Sequence, residues 1–347
     1  MGSTADHSET THSGVDRVWR LNLPLQLLRP EATALLDEVN ARAWTVVEPL
    51  LLELVRLRTA ALIGNTYGLQ RRSTTAASSG LSEQHIIALD NYSNSDDFTD
   101  LDKDFLGFAE QFVIDVSSMS AANVSPLLTH VDAPQVRGFV MALYVTEFTQ
   151  RLELMSTALL GEPTSDPVTN ETVRGVARPG DVEGLHQSLR DYQDAVVRGT
   201  AIDPTLTELV RLRCARTHNC RICQTLRLAA AFQAGVDDDM TAKVDRYEKS
   251  DLPERTKLAL RITDAFLTRP DTLSAESIQQ ARKVFSPEEL AELCLDITKW
   301  STQKIHVSLG TDGAERLQKN AQGISYFSFD ADGRVAGYAT TVTAAHP

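Results

Sequence analysis

At 347 residues the chain is too long for one ordinary core and suits two domains of about 150 residues each. Hydrophobic residues make up 42% and charged residues 23%, a globular composition. The formal charge of −13 argues against a nucleic-acid partner, whose phosphates require clustered Lys and Arg. No apolar run approaches the ~20 residues that span a bilayer, so no membrane partner is expected.

The first residues, MGSTADHSETTHSGV, are polar and lack an apolar signal core, so 1–15 reads as a disordered lead. With only four cysteines, a reducing cytoplasmic setting is expected, where a CxxC pair is more often catalytic or metal-binding than a staple. Residues 51–60 read LLELVRLRTA and recur as LTELVRLRCA at 206–215, eight of ten positions agreeing at an offset of 155. Without a gap Arg72 falls on Arg227 and Gly80 on Gly235, and with small gaps TQRL at 149–152 falls on TQKI at 302–305. A period this long marks two copies of a whole domain. The copies are expected at 16–160 and 182–320, joined by a linker at 161–181 of linker composition.

Both copies read as α-helical. From Pro204 to Ala234 apolar residues recur at helical spacing, and Gly235 is expected to stop that helix. A further helix is expected over 253–269. The stretch beginning SPEE carries a capping box, with Ser286 as N-cap, Pro287 first and Glu289 third. Strand signals wait until ISYFSFDADGRVAGYATTV, where alternating apolar residues flank Asp-Gly; 321–347 is therefore a hairpin or a pendant tail.

The chemistry centres on Cys220 and Cys223. Spaced i,i+3, they share one helix face and can close a disulfide. A helix N-terminus at Cys220 would favour its thiolate, and His218–Asn219 offers a break or cap there, although the apolar period also runs straight through. Arg227 lies one turn after Cys223 and would stabilise a thiolate, yet it cannot accept a proton. Glu208 is the remaining base, provided that burial raises its pKa. The rival readings are inert buried thiols and a zinc site of Cys214, His218, Cys220 and Cys223, which converges only if the helix breaks. Cys214 and Cys294 read as core residues, and His306 as facing a helix interface or lining a pocket. Glu208 also has a structural reading, since Glu53, Arg56 and Arg58 repeat Glu208, Arg211 and Arg213 in a copy without cysteines. Arg72 likewise repeats Arg227, which favours a structural ion pair there.

Glu208, Cys220 twelve residues on, Cys223 three further and Gly235 twelve beyond resemble the alkylhydroperoxidase D / carboxymuconolactone decarboxylase family. The resemblance covers most of the chain as two copies, with the cysteine motif only in the second; Asn65 and Gly68 stand in its place in the first. It implies an all-α fold, a homo-oligomer (dimer or trimer, the latter a pseudo-hexamer) and a dithiol served by a proton relay. The Glu-x11-Cys-x2-Cys-x3-His pattern of that family is matched by Glu208, Cys220 and Cys223, while its His is Arg227; Ile222 also stands where a second His is common.

The resemblance and the cysteine pair together imply a cofactor-free thiol peroxidase or disulfide oxidoreductase acting on a small peroxide, with an external dithiol as reductant and no metal. Two alternatives remain. One is a lyase on a small carboxylate or lactone, with Arg227, Arg211 or Arg213 holding the carboxylate. The other is a non-catalytic helical assembly protein.

Overall fold

The computed structural model describes residues 22–161 and 180–342. The expected lead at 1–15 and most of the expected linker lie outside the described residues.

Acid-Pro pairs start the two copies of the repeated helix. Glu48 caps Pro49–Ile63 by accepting from the Leu51 N–H, and Asp203 caps Pro204–Thr217 by accepting from the Leu206 N–H. In both, Pro occupies a first-turn position that needs no donor. The next elements correspond one to one. Short helices Thr66–Gln70, Thr74–Ser78 and Glu83–Ala88 in the first half match Arg221–Thr225, Ala229–Gln233 and Asp238–Lys243 in the second. A 3-10 turn comes next in each half, Leu89–Asn94 and Val244–Lys249. Each is kinked at the equivalent residue, Asn91 at φ −126° and Arg246 at φ −127°. The helices Asp100–Asp115 and Glu254–Leu267 complete the parallel.

The first half closes on one long helix, Ala133–Leu160, buried on most of its faces. Its counterpart is interrupted: Pro287–Trp300 runs into a 3-10 turn at Ser301–Gln303 and then Lys304–Ser308. The Ser286 capping box forms as the sequence suggests, and Leu290, Leu293 and Ile297 face the core. The halves meet through corresponding helices, Pro30–Val46 on Val182–Val197 and Ala133–Leu160 on Pro287–Trp300. This is the self-matching contact of an isologous dimer, here within one chain. One apolar core runs through both halves, from Leu25 to Val307, so the two expected domains share a single interior.

At that junction lies a buried charge triad. The Glu147 carboxylate accepts from Arg151 Nε at 2.8 Å and from Lys304 Nζ at 2.7 and 2.8 Å. Burial pulls the Lys304 ammonium down to about 8, although the Glu147 charge opposes this. Arg151 and Lys304 occupy equivalent positions of TQRL and TQKI.

The stretch 204–234 is not one helix. Asn219 takes a left-handed φ of 53°, which Asn tolerates better than most residues, and the chain restarts at Arg221. Residues Leu226–Leu228 then form strand β1, which periodicity concealed because its partner lies about a hundred residues downstream. β2 (Ser325–Phe329) pairs parallel to β1, with Leu226 opposite Ser325 and Leu228 opposite Phe327. β3 (Val335–Ala339) returns antiparallel to β2 through the expected Asp332-Gly333 turn, where Gly333 has φ 86°. The C-terminal segment is thus a docked hairpin. Phe327 and Phe329 pack on Trp300, and the Arg198 guanidinium donates to the Asp332 carbonyl at 2.6 Å.

Candidate functional site

Helix Pro204–Thr217 carries Glu208 and Arg211 one turn apart, both buried. Arg211 donates Nε to Glu208 Oε2 at 2.6 Å and Nη2 to Oε1 at 2.8 Å. The other edge of its fork reaches the Cys223 carbonyl at 3.0 Å and the Leu226 carbonyl at 2.5 Å, while the Leu228 N–H donates to Glu208 Oε2 at 3.2 Å. The pair therefore buckles the whole turn from Cys223 to Leu228 onto the helix. The first half repeats it bond for bond. Arg56 holds Glu53 at 2.7 and 2.8 Å and the carbonyls of Gly68 and Arg71 at 2.8 and 2.7 Å, and Ser73 N–H donates to Glu53 at 3.1 Å.

A second twinned network lies beside it. Arg58 Nε meets Glu110 at 2.5 Å and Arg213 Nε meets Asp264 at 2.5 Å, with Tyr92 and Tyr247 hydroxyls donating to the same carboxylates. Arg211 and Arg213 are thus committed to internal carboxylates and not held open for a substrate anion.

Cys220 is the N-cap of the short helix Arg221–Thr225, and its sulfur accepts from the Cys223 N–H at 3.3 Å. The two sulfurs stand at disulfide range, with Cα atoms 5.3 Å apart, within the span a bridge requires. Cys223 is 7% exposed and Cys220 fully buried. Asn65 takes the corresponding place in the first half, capping Thr66–Gln70 by accepting from the Gly68 N–H at 2.9 Å. The cap is thus common to both halves, and only the sulfur chemistry is particular to the second.

Arg227 sits in β1 and not one turn along a helix from Cys223. Its Nη1 donates to the Gln224 and Leu226 carbonyls at 2.8 Å each, where an ion pair was expected. Arg72 makes the matching bonds to Leu69 and Arg71, and in both twins Nε is buried without a partner. Both guanidinium groups close the turn by binding carbonyls that the break in the helix leaves free.

The remaining candidates do not converge on the sulfurs. His218 caps the preceding helix and lies against the Ser301 hydroxyl at 3.1 Å. Burial, with Lys304 and Arg151 adding to it, holds its pKa well below the usual histidine range, so the ring is neutral. His306 is exposed, beside the Thr311 hydroxyl at 3.0 Å, and not in a helix interface. Cys214 and Cys294 are core thiols, each pushed up to about 12 by burial. Among the described residues no group of three or more His, Cys, Asp or Glu could hold a metal ion, so the four zinc candidates do not gather.

Sequence reasoning missed Asp312, 4% exposed. Its carboxylate accepts from the Arg221 N–H at 2.8 Å and from the Arg221 side chain at 2.7 and 3.1 Å; its carbonyl accepts from the Ile222 N–H at 3.0 Å. The Arg221 partnership pulls its pKa down despite burial. Asp312 therefore shares with Cys220 the free N–H groups at this helix start. It also missed Glu292, Asp296 and Lys299, three charged residues buried along the helix Pro287–Trp300 among its apolar positions.

No protein-family profile matches the chain, and no solved structure matches it. Two proteins of Mycobacterium tuberculosis do, "Uncharacterized protein Rv2313c" of strain H37Rv and "Uncharacterized protein MT2376" of strain CDC 1551. Each is 34% identical over 229 residues, which is 65% of this chain and 78% of the relative. The chain belongs to the same protein family as these two mycobacterial proteins.

Proposed function

We propose that the protein is a cofactor-free dithiol oxidoreductase of the alkylhydroperoxidase D-like kind, in which Cys220 and Cys223 cycle between dithiol and disulfide and a small peroxide is the oxidant. The observation that supports this reading is the cap geometry, which holds the two sulfurs at bonding range on a turn that Arg211 ties to the helix Pro204–Thr217. The Cys223 thiolate attacks one peroxide oxygen, forming S–O as O–O breaks, and the departing oxyanion takes a proton from water. The Cys220 thiol then attacks the sulfenic sulfur and releases water, leaving the disulfide. An external dithiol restores both thiols by exchange and is itself oxidised, which suits a reducing compartment such as the cytoplasm.

Glu208 acts in this scheme as a positioning residue, because its carboxylate is occupied by Arg211 and the Leu228 N–H. Three chains, each already a fused pair, would assemble as the pseudo-hexamer the resemblance implies.

The test is thiol counting on native protein before and after one equivalent of tert-butyl hydroperoxide, with the bridge mapped by mass spectrometry. Two reactive thiols should vanish into a Cys220–Cys223 disulfide, and dithiothreitol should return them. Undiminished peroxide turnover in both Cys220→Ser and Cys223→Ser would overturn the reading.

A further inference from the structure

A cleft of about 650 Å³ opens between the C-terminal hairpin and the helices Val182–Val197, Pro204–Thr217 and Pro287–Trp300. That volume falls within the range of small-molecule sites, about 300–1,000 Å³. Neither Cys220 nor Cys223 lines it. Its walls are aromatic, with Trp300, Tyr326, Phe327, Phe329 and Tyr338, and Glu292 and Asp296 lie on them one helical turn apart.

The polar groups differ in what they have left to give. Glu292 is fully engaged, by Arg29 at 2.8 Å and by the N–H groups of Ala201 and Ile202 at 3.0 and 3.1 Å. Asp296, 4% exposed, meets the Thr207 hydroxyl. Lys299, 7% exposed, rests its side-chain nitrogen on the Trp300 ring, 3.0 Å from the centre, and 5.1 Å from that of Phe329. Among the described residues that nitrogen makes neither an ion pair nor a hydrogen bond. A carboxyl on the cleft wall and a buried lysine nitrogen left without a hydrogen bond beside Trp300 are unusual, because buried polar groups are almost always satisfied.

The other half shows that this polarity is not a requirement of the fold. Counting from the TQRL and TQKI match, Phe139, Leu143 and Thr146 stand where Glu292, Asp296 and Lys299 do. Within the repeated decapeptide, Leu52 is replaced by Thr207, which faces the cleft. Phe139, Leu143 and Leu52 are all core residues. The second half has exchanged an apolar interior for an acidic and hydroxylic wall where the hairpin roofs it.

We propose that this cleft is a binding site separate from the dithiol, for a small uncharged molecule with an aromatic ring and a hydroxyl that donates to Asp296. The cleft carries little net charge and so suits a neutral ligand: Arg29 offsets Glu292, and burial holds the Lys299 amine well below the usual lysine range while it raises the Asp296 carboxyl. The aromatic walls select a ring, and the Asp296 carboxylate supplies the acceptor. Burial raises the Asp296 carboxyl to about 7, with the Glu292 charge adding to the effect, so its accepting form fills as pH rises through neutrality.

The probe is 2-naphthol, titrated calorimetrically into the full chain. Binding should be saturable and roughly tenfold tighter at pH 8 than at pH 6, following the ionised fraction of a group near 7. It should weaken at least tenfold in Asp296→Asn and in Ala336→Trp, which fills the cleft from an exposed hairpin position. The Cys220→Ser/Cys223→Ser variant should bind as wild type does, which separates this site from the dithiol. 2-Methylnaphthalene, lacking the hydroxyl, should bind at least tenfold more weakly. Absence of saturable binding to the wild type overturns the proposal. So does wild-type affinity in both cleft variants, or equal affinity for the two naphthalenes with no pH dependence.

Discussion

Replacing Glu208 by Gln tests whether the buckle is scaffold or proton relay, because the molecule contains its own control in Glu53. Both carboxylates are fully buried, each held by two bonds from a neighbouring Arg and one from a backbone N–H. Removing the charge leaves a buried guanidinium uncompensated, which costs about 3–5 kcal/mol. The matched geometry predicts that Glu208→Gln and Glu53→Gln lose the same stability within about 1 kcal/mol, and that the losses add in the double variant, since the sites share no partner. Urea unfolding followed by circular dichroism gives the stabilities. Peroxide turnover is measured on the same preparations under conditions in which each stays folded. The scaffold reading predicts that Glu208→Gln keeps a substantial share of turnover wherever it remains folded. A Glu208→Gln protein that loses less than about 1 kcal/mol yet has no turnover would refute it and make Glu208 the proton carrier.

Asp296 makes stability depend on pH in an unusual direction. Its folded pKa of about 7 exceeds the ordinary 3.8, so the folded state holds the proton more tightly, and this stabilisation is lost as pH rises from about 4 through 7. Asp296→Asn should flatten that slope, and a wild type that gains stability relative to the variant over this window would contradict the assignment. Cys214 and Cys294, pushed up to about 12, should resist iodoacetamide in native protein at pH 8 while Cys220 and Cys223 react after reduction; peptide mapping reads the difference. Gly333→Ala should release the hairpin, since a Cβ there would meet the Asp194 carbonyl oxygen at 2.1 Å and the φ of 86° is itself unfavourable. A loss of about 2 kcal/mol or more and faster proteolysis near residue 333 are expected. Asp312→Asn should leave the Arg221 N–H bonded but weaken its ion pair, raising the reactivity of the reduced Cys220, measured as its alkylation rate.

Much of this organisation was legible because local chemistry and tertiary structure agree. The acid-Pro starts, the Ser286 capping box and the Asp332-Gly333 turn each specify an end or a reversal by their own hydrogen-bonding needs. The repeat was equally plain, because identical residues at one offset imply identical environments. The break at Asn219 was harder to see: apolar residues continue at helical spacing across it, and only an Asn before a capping Cys betrays the left-handed turn. β1 was invisible, since three residues become a strand only when β2 arrives from far downstream. Arg227 was misjudged for the same reason, because an i+4 relation carries meaning only on a helix. Asp312 and Asp296 escaped because their partners, Arg221 and the hairpin cleft, exist only in the folded chain. The Glu208 twin was the clue that sequence offered most openly, and the paired buckles show why both copies retain it.

The triad at the junction bears on why the two copies share one chain. Trp300 stands where the first half has Glu147, so the second half brings Lys304 to the pseudo-axis without a carboxylate. A dimer built from two second halves would bury two ammonium groups against each other with no counter-charge. One built from two first halves would set two Glu–Arg pairs in a space now filled by one carboxylate and two cations. Only the unlike pairing balances, so covalent fusion guarantees the heterologous partner that free halves would have to find by diffusion. Severing the chain between residues 161 and 180 and mixing separately expressed halves should therefore yield the unlike pair alone.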